Sequence, residues 1–405
     1  MDQKALIEQV AIPILQVLIA VAVVPLLILY LQLVERKVLG FMQVRLAPRR
    51  VGWHGLLQPI ADAVKLMTKE DTIPAKADRF LFTLAPIVTV APALAALAVI
   101  PIAGTPFEVL GYQVRPWISD LNIGIVYLLA ISSLGIYGII LGGWSSNSKY
   151  SMLGALRSSA QMISYEVPLG FALIGVMMLA GSASTVSIVE AQRSSGWWYV
   201  LPQIVGFFCY FISAVAETNR VPFDLPEAES ELVAGFHTEY SGMKFALFFL
   251  AEYTNMIVVS SIVTIAFFGG WLRPFPNVEA LSWVENGWVF ATPLVLGAFL
   301  GWLAGQRLGS LNPMIVGGAL GALLGFGIAV ADPGGIASMQ VPVLSGAFWF
   351  TLKVSFFLFA YIWFRGTYPR YRYDQLMQLG WKWLIPLSVG NVIVTGLVML
   401  LVGRP

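Results

Sequence analysis

Apolar runs long enough to cross a lipid bilayer follow one another almost from end to end of this 405-residue chain, separated by short polar stretches. The hydrocarbon core offers no water to an unpaired backbone N–H or C=O, so such runs fold as helices of roughly 20 residues. They fall at about 10–34, 79–101, 121–143, 160–181, 199–217, 242–271, 288–305, 313–331, 345–364 and 384–402. With 58% hydrophobic and 11% charged residues, the chain lies outside the soluble range. The expectation is an all-α membrane protein of about ten transmembrane helices, forming a single domain over 1–405.

The basic residues orient it. If the loop beginning at Glu35 is cytoplasmic, the loops on that side hold eighteen of the 24 Lys and Arg residues, the opposite side holds Lys4, Arg115, Arg193, Arg273 and Arg404, and Lys353 falls inside a span. Basic loops are retained on the cytoplasmic side during insertion, which places both termini outside. Residues 1–9 lack a basic leader and a cleavage site, so the first helix is expected to stay attached.

Within loop 35–78, Gln58, Asp62, Lys65 and Lys69 share one helical face and Leu56, Ile60 and Val64 the opposite one. This spacing predicts an amphipathic helix at the membrane surface, with Pro59 in its first turn. In the spans near 288–305 and 313–331, Gly297, Gly301, Gly305 and Gly317, Gly321, Gly325 repeat every four residues. That pattern fits either a close-packed helical hairpin or the ordinary glycine content of membrane helices.

Several chemistries are excluded. A charge of +2 without a basic run argues against nucleic acid. Cys209 is the only cysteine, and His54 and His237 the only histidines, too few for a cysteine-ligated iron–sulfur cluster, a bis-histidine haem or the usual zinc site. The chain is therefore expected to bind no metal of these kinds, and any electron carrier is expected to sit in a partner or be a bound small molecule. It also shows no nucleotide-binding glycine motif.

Carboxylates inside spans are costly and point to function. Glu166 lies roughly 9 Å and Glu252 roughly 12 Å into their spans, counted from the inner end at 1.5 Å per residue. Glu217 closes the inner end of the span between them. Six acids, Glu217, Asp224, Glu227, Glu229, Glu231 and Glu239, then fall within 23 residues. Close carboxylates in low dielectric share protons, the chemistry of a relay. The plainer reading makes the loop acids a solvated surface, and Glu166 or Glu252 polar glue between helices. The basic and aromatic groups Arg36, Arg45, Arg49, Arg50 and Arg365, Arg370, Arg372, Lys382 with Tyr368, Tyr371 and Tyr373 read first as positive-inside retention and an aromatic belt.

Six stretches carry a resemblance: Glu35 to Arg45 (ERKVLGFMQVR), Gly55 to Leu66 (GLLQPIADAVKL), Arg157 to Glu166 (RSSAQMISYE), Ala216 to Phe236 (AETNRVPFDLPEAESELVAGF), Ala251 to Asn255 (AEYTN) and Pro369 to Met377 (PRYRYDQLM). In order and across most of the chain, they closely resemble subunit 1 of respiratory complex I, the H subunit of the bacterial enzyme. The resemblance implies a membrane subunit of a proton-translocating NADH:quinone oxidoreductase of the respiratory chain, in the bacterial plasma membrane with periplasmic termini. Quinone, such as ubiquinone, is its substrate. Implied partners are the peripheral-arm subunits, which hold the iron–sulfur clusters and FMN, together with small membrane subunits and antiporter-like subunits. Carried over by motif, Arg36, Arg45, Asp62, Lys65, Phe223, Asp224 and Glu227 would lie around a quinone tunnel. Glu166, Glu217, Glu229, Glu231 and Glu252 would form the proton path.

Two departures stand out. The family's Gly-Pro-Asn-Arg is replaced by Ala47-Pro48-Arg49-Arg50, which puts the local loop shape in question. The stretch 277–340 is longer than an eight-helix family pattern allows and is expected to form an inserted two-helix hairpin. A related membrane-bound hydrogenase anchor and a stand-alone transporter are the alternatives; the near-complete acidic-loop signature and the segment Arg36–Arg45 favour the quinone enzyme, and no internal repeat supports a transporter.

Overall fold

The computed structural model describes residues 4, 7–109, 111–224, 234–274 and 335–402. Among them, seven helical segments are long and apolar enough to span a membrane. These are α1 (Ile12–Met42, preceded by a π-helical turn from Ile7), α3 (Arg79–Ala96), α4 (Gly124–Ser145), α5 (Lys149–Ala180), α8 (Gly242–Phe267), α9 (Gly335–Thr367) and a helix from Tyr373 to Val402 that comprises α10 (Tyr373–Gln378), a π-helical stretch and α11 (Ile385–Val402). A shorter apolar helix, α7 (Ile204–Glu217), makes eight. The surface helix forms as α2 (Gln58–Thr68), with Pro59 in its first turn, where a missing N–H costs nothing. The remaining expected spans, 288–305 and 313–331, lie outside the described residues, as does the insert from 277 to 334; from Gly335 the chain is helical.

Three boundaries differ from the hydropathy reading. The first span, expected to end at 34, continues to Met42, so Glu35, Arg36 and Lys37 ride on the helix instead of a loop. Polar contacts to α2 and to the helices beside α1 replace lipid there. The span expected from 160 begins at Lys149, because Ser151, Ser158, Ser159 and Gln161 are buried against protein. The span expected from 199 becomes helical only at Ile204; before it Val200 N–H bonds the Phe267 carbonyl at 2.9 Å. Two elements carry no hydropathy signal: an antiparallel hairpin, β1 (Phe107–Val109) with β2 (Tyr112–Val114), and α6 (Thr185–Ser195), capped by the Ser184 hydroxyl and ended by left-handed Gly196.

Helix α5 sits centrally, against α4, α7 and α11. Small residues permit that approach: a Cβ at Gly154 would lie 2.6 Å from the Gly235 Cα, so the chain leaving the acidic loop crosses α5 in direct backbone contact. Polar bonds tie the neighbours together. Gln161 Nε2 donates to the carbonyls of Ala216 at 2.8 Å and Phe223 at 3.0 Å, and Asn219 Nδ2 donates to Ser158 Oγ at 2.8 Å. Such interhelical bonds contribute about 0.6–2 kcal/mol each in a membrane protein. Around them, Ile28, Leu128, Tyr165, Leu169, Tyr210, Met256 and Phe267 form one continuous buried core. The outward faces of α1 and α11 expose Leu15, Leu18, Leu27, Val394 and Leu397, as suits lipid or neighbouring membrane chains.

Candidate functional site

The site is assembled where α7 ends. Helix α7 stops at Glu217 because Asn219 turns left-handed (φ 49°), and the Arg220 N–H then bonds back to the Val215 carbonyl at 3.3 Å. This wrap carries the Arg220 side chain inward, where only 6% of the residue remains exposed. A buried guanidinium needs carboxylates, and two helices supply them. Arg220 Nη1 meets Glu35 Oε1 of α1 at 3.2 Å, and its Nε meets Glu252 Oε1 of α8 at 2.7 Å.

Glu35 is the hub. Besides Arg220 it accepts hydrogen bonds from the Tyr253 hydroxyl at 2.7 Å and from Arg365 of α9, and the Arg220 guanidinium lies over the Tyr253 ring at 4.3 Å. Burial alone would disfavour the charged form of Arg220, but Glu252, Tyr253 and Glu35 outweigh it and hold the guanidinium protonated. Helices α1, α8 and α9 and the turn after α7 therefore meet in a single charged knot, in which each carboxylate is matched to at least one arginine.

The knot opens on two sides. Towards the start of the acidic loop, Asp224 pairs with Arg370 at 3.2 Å, and burial raises its pKa although Arg370 and Arg365 pull the other way. On the inner side is a cavity of about 30 Å³, counted to the centres of water-sized spheres, bounded by Glu252, Glu217, Thr218, Asn219, Asn255 and His237. That is room for about two water molecules. Beyond it, Glu217 lies close enough to Ser132 and Glu166 to interact with both, and Glu166 in turn accepts a hydrogen bond from Ser133. Glu252, Glu217 and Glu166 thus lie in sequence along one polar line, with waters able to bridge the first gap.

The other expected site residues fall in three places. Arg36 of α1 and Asp62 of α2 pair at 2.6 Å, with Gln58 Nε2 on the other Asp62 oxygen at 3.0 Å, while Lys65 stays exposed one turn on. Arg45 is exposed on the turn that follows α1, where Val44 is left-handed and the Arg45 N–H bonds the Gly40 carbonyl. Phe223 is buried between the Tyr165 and Tyr371 rings, at 5.7 and 5.8 Å between centroids. Glu227, Glu229 and Glu231 lie outside the described residues.

Sequence reasoning misses the hub itself. Glu35 and Tyr253 stand inside recognisable stretches with no role of their own, Arg220 and Arg365 read as retention charges, and His237 is notable only for its rarity. A signal exists for Glu35: it is an acid at the end of an apolar run, followed by two bases. Lys353 is legible only as a charge within a span. It caps α8, its Nζ donating to the carbonyls of Phe268, Gly270 and Leu272 at 2.7, 2.9 and 2.6 Å.

Comparison with known proteins bears on this arrangement. The family model described as NADH dehydrogenase matches residues 15–396. The chain is 48% identical over 397 residues to an NADH-quinone oxidoreductase H subunit of Solibacter usitatus, covering 96% of each chain. It is 46% identical over 395 residues to an H subunit of the same enzyme in Koribacter versatilis, covering 94% of this chain and 89% of that one. The H subunit of Magnetococcus marinus is also 46% identical, over 383 residues, 94% of this chain and 90% of that one.

Proposed function

Because the chain belongs to the NADH dehydrogenase family and matches the H subunits of NADH-quinone oxidoreductases over nearly its whole length, we propose that it works as that complex's membrane subunit, linking quinone chemistry to proton movement. The chain is a multi-pass membrane protein and, as part of an oxidoreductase complex, acts with other subunits. Electrons would arrive from iron–sulfur clusters and FMN held by peripheral-arm partners. Antiporter-like and small membrane subunits would cover the exposed helix faces, in a bacterial plasma membrane with both termini periplasmic. Quinone would approach between α1 and α2, past Arg36, Arg45, Asp62 and Lys65, towards Phe223, Asp224 and Glu227.

The observation that carries this reading is the succession of charged and polar groups from Asp224–Arg370, by way of the Arg220 knot, to Glu252, the cavity, Glu217 and Glu166. Its logic follows from the partners. Glu35 keeps Arg365 and Tyr253 when Arg220 moves, whereas Glu252 has no second arginine among its ion pairs at the described residues. Quinone that takes two electrons from partner clusters and two protons from side chains beside Asp224 leaves those side chains negative, and this new charge draws on Arg220. Glu252 then loses its countercharge and takes a proton instead. That proton comes through the cavity waters from Glu217, which shares its own with Glu166, so a charge event at the loop becomes a proton displaced along the row of carboxylates. Glu229 and Glu231 belong to the same path by motif.

The test replaces Glu166, Glu217 or Glu252 by Gln, which preserves volume and removes ionisation. Quinone turnover and acidification of inverted vesicles should fall together in assembled complex. Wild-type turnover and pumping in all three variants would remove these acids from the mechanism.

A further inference from the structure

His237 does not enter that line by motif, yet it stands on it. The residue lies on a short 3-10 turn (Gly235–His237) wedged against α5, where the left-handed Gly235 (φ 58°) meets Gly154. Its carbonyl accepts the Tyr240 N–H at 3.0 Å, and Thr238 Oγ1 donates to the Gly235 carbonyl at 2.7 Å, so the turn is fixed from both ends. Only 7% of the residue is exposed. Three sides of the imidazole are aromatic: Phe236, Phe245 and Phe249 lie 4.9, 5.4 and 5.7 Å away between ring centroids. None of these offers a hydrogen bond in the ring plane. Nδ1 is buried and has no hydrogen-bond partner among the described residues, and the ring bounds the same cavity as Glu252 and Glu217.

A buried polar nitrogen without a partner costs about 1–3 kcal/mol, so a polar atom must reach it. The cavity brings Glu217, Thr218, Asn219, Glu252 and Asn255 to one side of it, and it has room for water. We propose that His237 is a positioning residue of the proton path, its neutral imidazole holding through Nδ1 the water that joins Glu252 to Glu217. This rests on the relay reading given above. The titratable groups facing it across the cavity are Glu217 of α7 and Glu252 of α8, the latter already bound to Arg220. Neutrality is what burial dictates, since desolvation pushes the imidazole down to about 4. A neutral ring can accept a hydrogen bond at one nitrogen and donate at the other, so it orders water without adding a positive charge that would repel the moving proton.

Two substitutions separate hydrogen bonding from titration. In His237→Asn the amide stands close to the position of Nδ1 and cannot ionise; His237→Leu fills similar space with no polar atom. Both are measured in assembled complex in inverted vesicles, as NADH:quinone turnover, acidification, and turnover from about pH 5.5 to 8.5. The Leu variant should lose about tenfold in turnover and pumping together, while NADH oxidation by an artificial acceptor is unchanged. His237→Asn should stay within about twofold of wild type and keep its pH profile. His237→Met replaces the Leu variant if that one does not assemble. Wild-type behaviour of the apolar variant overturns the proposal, and so does an Asn variant as impaired as Leu or with a displaced pH profile. Glu217→Gln and Glu252→Gln, run alongside, distinguish the two failures: impaired Gln variants beside a normal apolar variant sink only the role of His237, whereas normal Gln variants sink the relay itself.

Discussion

Arg220→Met should unbalance the site more than any other single change, because its guanidinium serves two helices at once. Two unit charges about 4 Å apart attract by about 4 kcal/mol at an effective dielectric near 20, and truncating one partner of a buried pair costs about 3–5 kcal/mol. The loss is not shared equally. Glu35 retains Arg365 and Tyr253, so most of it falls on Glu252, whose 2.7 Å contact with Arg220 Nε disappears. We expect a cost of about 3 kcal/mol, or roughly a hundredfold faster heat inactivation of the assembled complex if the pair is broken in the inactivated state. Adding Glu252→Gln removes the stranded carboxylate and should return at least about tenfold of that rate, although the double variant has lost one more charged group. The assay is residual NADH:artificial-acceptor and NADH:quinone activity against time at fixed temperature, for wild type, both singles and the double. Additive losses, with the double variant less stable than Arg220→Met, would show that the two side chains are adjacent without being coupled.

Other consequences are separable by assay. Arg36→Ala and Asp62→Asn break a pair that is half exposed and contributes less than about 1 kcal/mol to stability; they should lower quinone reduction while artificial-acceptor activity is kept, and equal loss of both activities in assembled complex would count against a role at the quinone entrance. Lys353→Met leaves three carbonyls after α8 without their donor and should cost about 2–4 kcal/mol in heat-inactivation measurements, with pumping per turnover unchanged in whatever complex assembles. His237 makes stability depend on pH: its folded pKa, lowered by burial to about 4, lies below the ordinary 6.5, so between those values the unfolded chain binds the extra proton and stability falls as pH drops. The full loss is about 3 kcal/mol, complete near pH 4; His237→Asn should lack this component, and parallel wild-type and Asn curves would refute it.

The fold is legible where lipid decides it. An apolar run must be helical in a bilayer whatever else it touches, so α3, α4, α8 and α9 are visible from hydropathy alone. Legibility fails where protein replaces lipid. The first turns of α5 carry Ser151, Ser158 and Ser159, which hydropathy scores as loop; they are buried because α5 packs against the turn at Gly235 and the end of α7. Conversely, α1 outruns its apolar stretch, since Arg36 finds Asp62 and Glu35 finds Arg220, contacts no local window contains.

The same reason explains what the sequence shows of the site. Glu166, Glu217 and Glu252 are recognisable because a carboxylate in a span is conspicuous, and the structure places them along one line. Their arginine partners are not, because a base at the end of a membrane helix has an adequate explanation in membrane insertion. The two roles are compatible, and that is the point of the arrangement. Insertion asks only that Arg220 and Arg365 stay on one side of the bilayer; it leaves their guanidinium groups free to turn into the bundle once the helices meet. Glu35 sits 185 residues from Arg220 and 330 from Arg365 along the chain, so the knot can form only when α1, α9 and the turn after α7 have docked together. A charge cluster of this kind is a product of assembly. Replacing Glu35 by Gln should therefore leave each helix inserted and oriented, because no retention charge is lost, while loosening α1 from its neighbours. Cysteine cross-linking between α1 and α9 reads that directly, at Leu31 and Leu358, which border the same cleft. Reduced cross-linking with unchanged orientation is the expected result, and a reversed first helix would show that Glu35 acts during insertion instead.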